Sequence, residues 1–145
     1  MNLSPHFTLA ELTYSRIGSH NNFDNTPNDF EIQNLHRLAA LLEKVRIAVG
    51  NKPININSGF RSKQVNDAVG SKDSSQHRTG CAADFHVVGM TPREVVEACI
   101  DAKVPFDQII LEYDQWVHIS VPSIPDAKPR NSRLIIDLLG TRTFS

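Results

Sequence analysis

His77 sits in the run Ser75-Gln76-His77-Arg78-Thr79-Gly80-Cys81-Ala82-Ala83-Asp84, where an imidazole precedes a glycine break and a carboxylate follows on an apolar stretch. A second imidazole comes in Trp116-Val117-His118-Ile119-Ser120. Zinc in a hydrolytic site takes three protein ligands of nitrogen or oxygen type and leaves a fourth position for water. The pKa of that water falls from about 15.7 to about 7, which supplies hydroxide at neutral pH. His77, Asp84 and His118 are a sufficient set for such chemistry. The chain has 6 histidines, however, and a histidine on a strand is commonly a hydrogen-bonded structural residue. His86 adds an ambiguity, because on a strand it shares the face of Asp84 and could replace it or support it from behind.

These residues need elements to hold them. Thr26-Pro27-Asn28-Asp29 reads as a helix start, with Thr26 as N-cap and Pro27 at the first helical position. Leu35, Leu38, Leu42, Val45 and Val49 then form one apolar stripe, and Gly50 ends the helix. Pro53-Ile54-Asn55-Ile56-Asn57 alternates as a half-buried strand does, and Ser58-Gly59 breaks it. A short helix is expected over 62–69, an exposed loop over 70–80, and a strand from Cys81 to Val88. Thr91-Pro92-Arg93-Glu94 is a capping box opening a second helix to about Ala102. Two β-rich runs, Gln108 to Tyr113 and Trp116 to Val121, are close enough to form a hairpin, and a last strand is expected from Leu134 to Leu139. The order predicts an α+β fold, an antiparallel sheet with helices packed on one side and the metal site at the sheet face.

Composition narrows the function. The chain has 145 residues, 40% hydrophobic and 21% charged, the size and mix of a single globular domain over 1–145. A formal net charge of −1 offers no positive field for nucleic acid or an anionic membrane. No apolar stretch approaches the roughly 20 residues of a membrane span, and the N-terminus lacks the pattern of a signal peptide, so a cytoplasmic product is expected as synthesised. Cys81 and Cys99 fit neither a C-x-x-C pair nor a disulfide framework and read as reduced, packed thiols. No heptad or apolar stripe compels association, so a monomer is expected.

Taken in order, Phe7-Thr8-x-x-Glu11-Leu12, Ser58-Gly59-Phe60-Arg61-Ser62, Asn66, Ser75-x-His77-x-x-Gly80-x-Ala82-x-Asp84, Phe106-Asp107-Gln108-Ile109-Ile110 and Trp116-x-His118 resemble the zinc D-Ala-D-Ala carboxypeptidase family. That family includes D,D-dipeptidases of vancomycin resistance and phage L-alanyl-D-glutamate endolysins, and the chain looks like a short phage or prophage-type member. The likeness spans about residues 5 to 121, leaving 122–145 as a tail. It implies that His77, Asp84 and His118 ligate one Zn2+. It further implies that Arg61 faces the active site and pairs with a substrate carbonyl or carboxylate, a task that suits a guanidinium fork. Ser75 and Gln76 could bind the peptide or brace the loop, and Trp116 could line the groove or serve as a cross-strand packing residue. The implied function is hydrolysis of peptidoglycan stem peptides, by removal of terminal D-alanine or by cleavage inside the stem, after release to the wall or as a virion component.

One position departs from the pattern. Many relatives carry an acidic residue three positions before the last histidine as general base, and here that residue is Gln115. Glu112 and Asp114 are the available substitutes, and hairpin register separates them. With a loop Tyr113-Asp114-Gln115, Glu112 pairs with Trp116 and shares the face of His118; with a loop Asp114-Gln115, it faces away. Shorter phage-type relatives have an E-x-x-x-W-V-H arrangement similar to Glu112–His118. If neither carboxylate serves, the alternative is a catalytically inactive zinc-containing module that binds wall peptide.

Overall fold

The computed structural model describes all 145 residues. A two-stranded ribbon, β1 (Asn2–Ser4) and β2 (Phe7–Thr8), opens the chain and leads into the short helices α1 (Leu9–Thr13) and α2 (Arg16–His20). The long helix α3 (Asp29–Ala48) begins two residues later than Thr26-Pro27 suggests. Asn28 is its N-cap: the Asn28 side chain accepts from Glu31 N and the Glu31 carboxylate accepts from Asn28 N, both at 2.8 Å. That reciprocal pair satisfies two orphan donors at once, which Thr26 cannot do.

β3 (Ile54–Ser58), α4 (Lys63–Ala68), a 3-10 turn at Gln76–Thr79, β4 (Ala82–Val87), α5 (Pro92–Asp101), β5 (Gln108–Glu112), β6 (Trp116–Ser120), β7 (Ser132–Asp137) and β8 (Gly140–Thr143) complete the chain. The larger sheet runs β3-β4-β6-β5-β7-β8. The α+β architecture is as expected, with one difference: four of the five pairings are antiparallel, and β5–β7 is parallel. The cause is connectivity. β6 ends beside the start of β5, and residues 121–131 arch past that end to begin β7 on the far side of β5. β7 therefore opposes β6 and must run with β5.

One sheet face carries Ala83, Phe85 and Val87 of β4, Ile109 and Leu111 of β5, and Val117 and Ile119 of β6 into the core. There they meet Leu35, Leu38, Leu42 and Val45 of α3 with Val95, Val96 and Cys99 of α5. Full burial of each such side chain is worth about 1.5–3 kcal/mol, so this face sets the strand register. The alternate residues, Asp84, Ile110, Glu112, Trp116 and His118, are left on the opposite face. No helix is long and apolar enough to cross a membrane.

Candidate metal centre

Two of the three candidate ligands are brought together by strand pairing alone. Asp84 and His118 are direct partners across β4 and β6, and His118 Nδ1 lies 2.9 Å from Asp84 Oδ1. His77 arrives from the 3-10 turn, where the expected exposed loop instead buries its imidazole, leaving the residue 3% exposed. Local composition misleads there because the turn is tied down from outside. Arg61 N donates to His77 O at 2.9 Å, and Asn34 of α3 donates to Thr79 O at 2.9 Å. Gly80 closes the turn at φ +81, where an added Cβ would lie 2.9 Å from Glu31 O, so only glycine fits.

The tautomer of His77 follows from its partner. Its Nδ1 is 2.7 Å from the carbonyl of Gly59, which can only accept, so Nδ1 carries the proton and Nε2 presents a lone pair. That lone pair faces Asp84 Oδ1 at 3.3 Å. Burial pushes the His77 pKa down, against the pull of Asp84, and favours the neutral ring that a metal ligand must be. Burial also pushes the Asp84 carboxyl up, but the charge and hydrogen bonds that His77 and His118 supply when protonated outweigh it and hold the group ionised well below the usual carboxylate range. A neutral imidazole lone pair pointed at a carboxylate oxygen is an arrangement that a cation satisfies. The donor atoms of His77, Asp84 and His118 all lie within 4.8 Å of one another. Tetrahedral ligands at about 2.0–2.2 Å from zinc lie roughly 3.3 Å apart, so the set could hold one zinc ion.

His86 takes neither of the roles left open for it. It is exposed, with Nδ1 3.0 Å from Asn57 Oδ1 and Nε2 3.2 Å from Asn55 Nδ2 on β3. Near this point a register shift between Ile56 and Ser58 sets Ser58 opposite Asp84 and feeds Gly59 to Arg61 toward the centre. Arg61 Nη2 reaches Asp84 Oδ2 at 3.4 Å while its Nε donates to Ser58 Oγ at 3.1 Å. Burial draws the Arg61 pKa down, and the charges of Asp84 and Glu112 oppose that shift.

The hairpin closes with Tyr113-Asp114-Gln115 as its loop, so Glu112 pairs with Trp116 and Ile110 with His118. Glu112 consequently lines the same cleft as the three candidate ligands. Burial raises its pKa first and the charge of Asp84 next, while His118 and Arg61 oppose. Asp114 does not belong there. It is exposed at a left-handed φ of 51°, outside the cleft lining.

The cleft encloses about 1020 Å³. Ser75 lines it, with Oγ accepting from His77 N at 3.3 Å. The Gln76 amide is committed to bracing: Nε2 donates to Asp107 Oδ2, Val121 O and Ser123 Oγ at 3.1–3.2 Å. Trp116 both lines the cleft and packs beside Tyr113, ring centroids 5.9 Å apart, and its buried Nε1 has no partner. Sequence reasoning assigned no site role to Asp107, named only within a family motif, and none to Ile124, Lys128 and Arg130, yet all four line the cleft. The signal for Asp107 was its place in the Phe106–Ile110 stretch at the mouth of a strand, and the tail read as a polar connection.

A family model described as Peptidase M15 matches residues 5–120. A zinc D-Ala-D-Ala carboxypeptidase of Streptomyces albus G is 49% identical over 44 residues, which is 30% of this chain and 17% of that protein. The matched stretch thus spans well under two thirds of that relative's length.

Proposed function

Because the chain belongs to the peptidase M15 family, we propose that it hydrolyses peptidoglycan stem peptides as a zinc-dependent peptidase, with His77, Asp84 and His118 holding the metal. Glu112 is the general base and Arg61 the clamp on the reacting carbonyl. The observation that carries the proposal is the hairpin register, which turns Glu112 onto the face of His118 although Gln115 occupies the position where relatives keep their acid. Zinc held there would supply Lewis acidity and a water that ionises near neutral pH. Glu112 takes the proton of the attacking water at its carboxylate and delivers it to the departing amine. Arg61, oriented through Ser58, donates to the carbonyl oxygen as negative charge builds on it. Ser75 and Trp116 line the path of the peptide backbone. Action on the wall after release from the cell, or from within a virion, is part of the same proposal and is supported by substrate class alone.

The test is cleavage of a purified stem peptide by zinc-loaded protein, followed by mass spectrometry with and without chelator. Cleavage is expected to vanish with chelator, and Glu112→Gln is expected to lower kcat by roughly 10²–10⁴ while retaining one zinc per chain. Wild-type protein that holds one zinc and leaves every stem peptide intact would instead mean a wall-binding module without catalysis.

A further inference from the structure

The cleft continues past Gln76 to a wall made by Pro122–Arg130, which lies outside the stretch matched by the family. Asp107 anchors that wall. It is buried, and its Oδ1 accepts from Arg130 N at 3.2 Å and Arg130 Nε at 3.1 Å. Its Oδ2 accepts from Arg130 Nη2 at 2.8 Å and from Gln76 Nε2 at 3.1 Å. Both oxygens are fully used, so Asp107 orients Arg130 and has nothing left to offer a ligand. Arg130 Nη1 makes no bond within the protein, and Lys128, also on the cleft, forms no ion pair. An exposed cation usually loses side-chain entropy when it grips an anion; for Arg130 that ordering is already done by a buried carboxylate. Ile124, 70% exposed on the same wall, adds an apolar contact beside the two cations.

Resting on the peptidase reading above, we infer that Lys128 and Arg130 form an anion-recognising subsite that takes a free carboxylate of the peptide, away from the bond that is cut. Gln76 links the two regions, being the neighbour of His77 and bonded to Asp107. The charge layout sets the preference. Among the side chains lining the cleft, Asp84 and Glu112 outnumber Arg61 at the metal end, whereas at the tail end Asp107 alone offsets Lys128 and Arg130. The substrate class is therefore an acidic peptide, and its carboxamide counterpart is a poor ligand.

Three peptides of one sequence test this: all carboxylates free, the side-chain carboxylate converted to carboxamide, and the C-terminal carboxylate converted. kcat/KM is measured with zinc-loaded protein, and Kd by calorimetry with Glu112→Gln, where binding is read without turnover. Wild type is expected to favour the free acid over one of the two carboxamides by roughly tenfold or more, and which one identifies the carboxylate recognised. The ratio is expected to fall toward one in Lys128→Gln and in Arg130→Gln, and to stay at the wild-type value in Lys44→Gln, a charge change on the exposed side of α3. Discrimination that persists in the Lys128→Gln/Arg130→Gln double variant, or that wild type lacks in both assays, overturns the subsite. Cleavage without discrimination removes the subsite and leaves the peptidase standing; discriminating binding without cleavage by wild type does the reverse.

Discussion

Replacing Gly59 by alanine tests whether the metal centre is tuned by the backbone behind His77. A Cβ at residue 59 would lie 2.3 Å from Leu12 O, 3.0 Å from Leu12 C and 3.1 Å from Leu12 Cα, all backbone atoms. Contacts under 3.0 Å are essentially never tolerated, so the two segments must part by about 0.7 Å (3.0 minus 2.3). They resist, because Phe60 N donates to Leu12 O at 2.8 Å. Passed on to the carbonyl of Gly59, the same shift stretches its 2.7 Å bond with His77 Nδ1 to about 3.4 Å, outside the hydrogen-bond range. Loss of such an outer partner typically weakens metal binding 10–100-fold. The forced repacking costs about 1–3 kcal/mol, or a Tm loss of roughly 3–12 °C at this chain length. Thermal unfolding of the metal-free protein and zinc competition against a chromophoric chelator measure the two effects. Gly89→Ala is the comparison: at φ +82 with nothing within 4 Å, it is strained but remote from His77, so it should lose stability and keep zinc affinity. Wild-type zinc affinity in Gly59→Ala, or an equal loss in Gly89→Ala, refutes the reasoning.

Three further outcomes are expected. As the proposed base Glu112 must be ionised to act, so kcat/KM of the zinc-loaded protein should fall as pH drops through the pKa of that carboxylate, and Glu112→Gln should lose that limb. Burial raises the Glu112 pKa of the metal-free protein, and that shift has a stability sign: the fold disfavours ionised Glu112, so Glu112→Gln should raise the Tm of the metal-free protein above the folded pKa and leave it unchanged well below 4.5, as calorimetry at the two pH values would show. Burial pushes the Cys99 thiol up to about 12 and raises Cys81 as well, so an aromatic disulfide reagent at pH 8 should label neither until denaturant is added.

What could be read in the sequence was whatever local pattern and pairing parity decide. The α3 stripe, the Thr91–Glu94 box and the alternation of β3 specify their own elements, and hairpin parity reduced the choice of base to one question of loop length. The start of α3 was misplaced because Thr26 and Asn28 are both good caps; the acid that decides, Glu31, lies three residues after Asn28. The expectations missed β1, β2 and β8, since strands of two to four residues exist only through their partners. The burial of His77 depends on Gly59, Arg61 and Asn34, and the tail wall on Asp107, 23 residues before Arg130. Contacts of that range leave no periodic trace in the chain.

The parallel strand β7 has a consequence for anyone wishing to trim the molecule to its family-matched part. A chain cut after Val121 would strip the partner from β5, whose Ile109, Ile110 and Leu111 would then sit on an open ladder of N–H and C=O groups. Such an apolar edge invites pairing with other molecules. In the intact chain the outermost strand is β8, short, fully exposed and carrying Thr141, Arg142 and Thr143, an edge poorly suited to that recruitment. The tail thus doubles as a guard on solubility, and the shortened version should be lost to aggregation before its specificity can be examined.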